Sequence, residues 1–529
     1  MKLRKRRRVL QAVAAAAGSS LLGLPAWSQT PGRLLRAPRR ALVIGNSKYG
    51  IGALRNPAND AGALAEQLRT QRFEVVLGVD LKRDEMAQLI GAYGDALARE
   101  KPVAVFYFAG HAVQLAWRNY LVPVDANVKS PADVQAQCID LNSLIDRLRK
   151  AANPMNVIIL DACRDNPFDS PVEQKGLSQL DAPAGTLIAY ATSPGNVAID
   201  GDGANALYTE HLLREMKVPD TKIEDVFKRV RLGVRRRSNG RQIPWESTSL
   251  EEDFWFTPPR ELKQLAEDEA ERTFLEEAAA WEKADGSASP SPLEEYLRRY
   301  PSGRFAELAQ LQLDAVLARQ GEKPIRIASS AGNPFTQGHA RADPGYKVGD
   351  SYTYVRLDRD SRQVLGRARQ SVTELTEREV IFDHGRLVLD RLGNAVKLPD
   401  GRRFTPRQDQ PLEYALGKKW STRFRTTGAQ GPGAESEFDF RITRRETISV
   451  PAGSFDCFVI EGQGYSYTDR GLKIQLGLTR WIAPDKVRRP IVSEQFRKVE
   501  GTVGGWGRAR KAGQFLNNER LELVAFSQS

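Results

Sequence analysis

Two short runs in this chain carry residue types that could do chemistry together. Tyr107-Phe108-Ala109-Gly110-His111 closes one apolar stretch, and Leu160-Asp161-Ala162-Cys163-Arg164 closes another, with Cys163 52 residues after His111. A thiol beside an imidazole is the minimum for nucleophilic acyl transfer. The ring takes the thiol proton or stabilises the thiolate, and later protonates the leaving amine. Either residue alone reads as filler, a strand-end histidine or a small buried hydrophobe. The two together, each at the end of an expected strand, read as a catalytic pair. Cys138 and Cys457 have no histidine near them in sequence and read as structural. Three cysteines and four histidines exclude a disulfide-rich scaffold and a large metal cluster.

The elements that must position the pair follow from periodicity. Residues 41–44, 73–77, 103–108, 157–160 and 187–190 are apolar runs that read as strands. Between and after them, residues 59–71, 83–99, 141–150, 205–216 and 221–236 carry helical spacing. This alternation predicts an α/β domain over residues 38–256, a mainly parallel sheet sandwiched by helices, ended by Pro258-Pro259. In such sheets working residues sit beyond the carboxyl ends of strands, where both motifs fall.

The same motifs resemble those of the caspase-like cysteine peptidases, in particular the metacaspase and bacterial caspase-like branch. The resemblance covers about residues 40–256 and includes Leu54-Arg55-Asn56-Pro57-Ala58-Asn59-Asp60-Ala61. The interval between histidine and cysteine agrees with the caspase spacing of ~50 residues. The resemblance implies that His111 is the base, that Cys163 is the nucleophile, and that the backbone N–H groups of Ala112 and Cys163 form the oxyanion hole. The chain departs from the family in places. Animal caspases carry Gln and Gly where this chain has Asp161 and Asp165, and glycine usually follows the histidine where this chain has Ala112.

Charge points to specificity. Asp161 precedes Cys163 by two residues, which in a strand places both on one side. Asp60 stands where metacaspases carry an Asn-Asp pair lining the pocket for the residue before the scissile bond. Two carboxylates there would select Arg or Lys by charge-assisted hydrogen bonds. Asp60 reads equally well as the N-cap of the helix that follows it. Tyr190-Ala191-Thr192-Ser193-Pro194-Gly195 resembles the family's substrate-binding edge, with Ser193 as a contact. Metacaspases often need calcium, but Asp165 and Asp169 match no recognisable loop, so no metal or other cofactor is expected. Residues 164–186 read as an exposed loop in which Lys175-Gly176 is either a self-cleavage point or an ordinary solvated lysine.

The remainder reads as accessory. Residues 1–28 join a basic stretch, an apolar run and Ala26-Trp27-Ser28, the pattern of an export signal. Arg6-Arg7 followed by paired apolar residues also resembles a twin-arginine signal, and retention as an anchor is the alternative. A periplasmic or secreted protein is expected. The formal charge of +12 falls to +6 once the six basic residues of this segment are set aside, too little for a nucleic-acid partner. Residues 257–319 read as a helical spacer or hairpin and 320–345 as a flexible linker. Residues 346–529 read as an antiparallel β domain, a half-barrel or sandwich, of unknown role. The expected partners are protein or peptide substrates, with an envelope partner for the helical or β-rich region. The expected function is an exported endopeptidase cleaving after Arg or Lys; the alternative is an inactive caspase-fold scaffold of the cell envelope.

Overall fold

The computed structural model describes residues 34, 37–50, 52–163, 177–178, 180–193, 203–259, 267–322, 338–428, 431–500 and 513–529, with Cys163, residues 267–271 and residues 431–432 described by their backbones alone. The export segment 1–28, Lys175 and its neighbours, and Pro194-Gly195 lie outside these residues.

The first part of the chain runs β1 (Arg39–Gly45), α1 (Pro57–Thr70), β2 (Glu74–Val79), α2 (Arg83–Glu100), β3 (Val103–Leu115), β4 (Arg118–Leu121), α3 (Pro131–Gln137), β5 (Ile139–Asp140), α4 (Leu141–Ala151), β6 (Met155–Cys163), β7 (Thr186–Tyr190), α5 (Leu207–Glu215), α6 (Ile223–Arg237) and β8 (Trp245–Thr248). The sheet order is β2-β1-β3-β6-β7-β8, parallel except for the last pair. Side chains of period two divide between two cores. Val43, Val105, Tyr107, Val157 and Ile159 pack with α1, α5 and α6 through Leu64, Leu212 and Val230. Leu42, Phe106, Phe108, Ile158 and Leu160 pack with α2 and α4 through Ile90, Leu97 and Leu144. The α/β sandwich expected from the sequence is therefore present. The strand expected over 103–108 is longer, because its second half leaves the parallel sheet and pairs with β4 in a hairpin, Ala112 opposite Leu121.

Three helices follow, α7 (Glu267–Ala284), α8 (Pro290–Arg299) and α9 (Ala306–Arg319). Trp281 stacks on Phe305 at 5.5 Å, and Leu293, Tyr296 and Leu313 complete their core. After them, β9 (Ala340–Arg341) pairs with β16 (Glu413–Tyr414). The other strands are β10 (Ser351–Asp358), β11 (Val364–Leu375), β12 (Glu379–Phe382), β13 (Leu387–Asp390), β14 (Ala395–Lys397), β15 (Arg403–Phe404), β17 (Lys419–Gly428), β18 (Gly431–Val450), β19 (Gly453–Thr468), β20 (Lys473–Ile482), β21 (Val492–Glu500) and β22 (Phe515–Ser527). These twelve form a closed antiparallel barrel, with β22 pairing back onto β10. A half-barrel or sandwich was the expectation; closure removes the exposed edges that either would leave.

The end of the expected linker is fixed in place. Arg341 forms an ion pair with Asp314 of α9, which also binds Arg235 of α6 at 2.6 Å. Arg235 is shared with Glu322, and Arg231 bridges Glu246 of β8 and Glu413 of β16. Burial works to raise the Asp314 carboxyl, but the Arg341 and Arg235 guanidiniums outweigh it and hold it below its ordinary value. Asp314→Asn would leave two guanidiniums without their shared carboxylate, at a cost of roughly 3 kcal/mol. We expect this variant to melt earlier than wild type by calorimetry. A carboxyl depressed in the folded state stabilises above its unfolded value and loses that contribution on acidification. The difference between the two proteins should therefore be full at neutral pH and shrink as the pH falls through and below the ordinary carboxyl value of 3.8.

Candidate active site

His111 sits where β3 passes from the parallel sheet into the β3–β4 hairpin. Its neighbour Gly110 has φ +152°, and a Cβ there would lie 2.5 Å from the Tyr49 hydroxyl. That hydroxyl accepts the His111 N–H at 2.9 Å and donates to the Val122 carbonyl at 3.1 Å. The Tyr49 and His111 rings lie 4.4 Å apart. Gly110→Ala would collide with this support in a backbone region that favours glycine. We expect a drop in melting temperature together with loss of at least ~10-fold in any activity of His111, since an imidazole displaced by about 1 Å loses its geometry.

The ring has a fixed partner. His111 Nε2 lies 2.6 Å from the carbonyl oxygen of Gly52, which can only accept, so Nε2 is the donor in this contact. Gly52 has φ +71°, and a Cβ there would lie 3.3 Å from Nε2. Gly52 and Tyr49 were not singled out from the sequence. Their signal was faint, one of several glycines and a lone tyrosine in the loop after β1.

Cys163 is the register partner of His111 on the adjacent parallel strand β6. Neighbouring strands lie about 4.8 Å apart, so the two backbones meet at the carboxyl ends of two central strands. Around His111, Ala109 and His111 direct their backbone groups to the β1 and β4 side: Asn46 donates to the Ala109 carbonyl and Val122 to the His111 carbonyl. Alternation then turns the Ala112 N–H toward β6. Ala112 itself is buried.

Two buried carboxylates lie nearby, both tied to the start of α5. Asp161, two residues before Cys163, accepts the Thr209 hydroxyl at 2.7 Å and lies 3.4 Å from the Tyr107 hydroxyl. Asp60 accepts the backbone N–H of Ala206, the N-cap residue of α5, at 3.0 Å. Burial above all, then the charges of Asp161 and Asp60, push the Tyr107 phenol well above its ordinary value, so it remains an O–H donor. The N-cap reading of Asp60 is corrected. α1 begins at Pro57 after Asn56, and Asp60 lies inside its first turn. Ser193 follows β7, is fully buried, and donates its N–H to the Ile243 carbonyl at 2.6 Å.

Cys138 and Cys457 are buried, and burial pushes each thiol up to about 12. Neither is ionised at neutral pH. Among the described residues, no group of three or more His, Cys, Asp or Glu side chains is arranged to hold a metal ion.

Residues 38–255 match the family model of the caspase domain. The chain is 29% identical over 247 residues to the mouse mucosa-associated lymphoid tissue lymphoma translocation protein 1 homolog, covering 45% of this chain and 29% of that protein. To the human protein of that name it is 29% identical over 240 residues, covering 44% and 28%. The family match marks residues 38–255 as a caspase-like domain. The chain spans less than a third of the length of these relatives.

Proposed function

We propose that this chain is a caspase-like cysteine endopeptidase that cleaves after Arg or Lys. The observation that carries the reading is the pairing of His111 with Cys163 across β3 and β6, with the ring held on the Gly52 carbonyl. In this reading Nδ1 takes the Cys163 proton and the thiolate adds to the scissile carbonyl. The negative oxygen that forms is held by the N–H groups of Ala112 and Cys163. Collapse of the adduct breaks the C–N bond, and the imidazolium returns its proton to the departing amine. Water, deprotonated by the same ring, then hydrolyses the thioester and frees the enzyme. Nothing in this sequence of steps calls on a metal or cofactor.

Asp161 and Asp60 supply the negative charge for a basic side chain before the scissile bond. The N–H of Ser193 is already spent on Ile243, so its contact with substrate runs through its other polar groups. Export to the periplasm or beyond follows from the pattern of residues 1–28. Cleavage of a peptide library varied at the residue before the scissile bond tests the reading. Arg and Lys peptides should be cut by wild type and not by Cys163→Ala. Cleavage confined to acidic peptides would reject it.

A further inference from the structure

A cavity of about 1430 Å³ occupies the barrel, larger than the 300–1,000 Å³ of most small-molecule sites. Its lining reaches the end carrying the β17–β18 and β19–β20 turns through Gly428, Arg470 and Leu472. Ile474, Leu476 and Leu478 line it in succession along β20, and Phe424 and Phe438 add an aromatic surface from β17 and β18. The stripe on β20 ends at Arg480.

At that depth the lining becomes cationic. Asp409, itself buried, pairs with Arg407 at 2.7 Å and with Arg480 at 3.2 Å. Arg489 reaches the neutral Gln370 at 3.0 Å. Two guanidiniums thus share one carboxylate, and among the described residues a third, that of Arg489, has no ion-pair partner, while Nε and Nη1 of Arg480 and Nε of Arg489 are buried without a hydrogen-bond partner. Over the whole cavity the lining includes ten arginines and three carboxylates, Asp383, Asp400 and Glu519. Buried donors and charge left in this state are costly until an anion meets them. Burial holds the Arg480 guanidinium below its ordinary value, and Arg407 and Arg489 add to the effect against the pull of Asp409.

The outward residues of β17 and β18 include Arg423, Arg425, Glu435, Glu437 and Asp439, placed in cross-strand register. That outer face suits water.

We propose that the barrel binds a single-chain anionic amphiphile, its charged head on Arg480 and Arg489 and its acyl chain against Ile474, Leu476, Leu478, Phe424 and Phe438. Barrels of this size enclose ligand cavities, and an arginine-rich lining draws anions into them. The head is a carboxylate or a phosphate monoester; either matches the guanidinium fork.

The full chain can be titrated with monomeric oleate by calorimetry, with native mass spectrometry giving the stoichiometry. We expect one oleate per chain. Oleyl alcohol, which lacks the charge, and inorganic phosphate, which lacks the chain, should each bind at least ~10-fold more weakly. Dodecyl phosphate in place of oleate distinguishes the two head chemistries, and tight binding of either supports the site. Arg480→Gln and Arg489→Gln should each weaken the preferred amphiphile at least ~10-fold. Arg444→Gln, on an exposed arginine paired with Glu446 and Glu461, should leave it unchanged. Melting curves of each variant report folding, and the two lumen variants give independent readings should one fail to fold. Oleyl alcohol binding as tightly as oleate, an oligoglutamate peptide binding while both amphiphiles do not, or unchanged affinity in a folded lumen variant would overturn the proposal.

Discussion

Cys163→Ala is expected to abolish peptide cleavage, lowering kcat/KM by at least ~10³-fold, and His111→Ala to do nearly the same. The reason is chemical. Alanine offers no nucleophile at position 163, and without the imidazole the thiol is neither deprotonated nor able to hand a proton to the leaving amine. Because the two act as one device, the double variant should be little worse than either single one. Both substitutions reduce side-chain size, and His111 is only half buried, so the melting temperature should move little. Additive losses in the double variant would show that the two residues act separately. Near-full turnover by Cys163→Ala would remove the thiol from the mechanism.

The second large effect falls on specificity. Asp161→Asn keeps the size of the side chain and can still accept the Thr209 hydroxyl, but it removes the charge. For a substrate with Arg or Lys before the scissile bond we expect kcat/KM to fall roughly 10–100-fold, the worth of a charge-assisted pair in a largely dry site. A matched peptide with norleucine at that position should be affected less than ~3-fold by the same change. Equal losses on both peptides would make Asp161 a structural residue, and equal cleavage after Ala and Arg by the wild type would sink the basic pocket altogether.

Much of the caspase-like domain was legible because its strands are buried on both faces and read as continuous apolar runs. Residues 103–108 and 157–160 are wholly apolar, and His111 and Cys163 stand out within three residues of their ends. What escaped notice has physical causes. The β3–β4 hairpin turns on Ala116 and Trp117, both with positive φ, where a two-residue turn normally advertises itself by Asn or Gly. β8, Trp245–Thr248, is short and half polar, as edge strands tend to be. The carbonyl of Gly52 is a backbone group, and its meeting with His111 depends on the course of a loop. Asp60 looked like a helix cap because sequence shows which residues favour a cap and not where the helix begins. Here Pro57 starts it three residues earlier. Barrel closure rests on the pairing of β10 with β22, more than 160 residues apart at Asp358 and Glu519, which no local pattern encodes. The arginines of its interior are scattered along the chain and gather only once the barrel has closed.

The central claim, a reactive Cys163 beside a site for a basic side chain, is tested most directly by covalent labelling. The full chain, incubated with an arginyl chloromethyl ketone peptide at neutral pH, should take up one label per molecule. Peptide mapping by mass spectrometry should place it on Cys163, with little reaction at the buried Cys138 and Cys457. The His111→Ala variant should label far more slowly, and an aspartyl analogue of the reagent should scarcely react. Labelling of Cys163 no faster than a free thiol peptide, or equally by the arginyl and aspartyl reagents, would contradict the account.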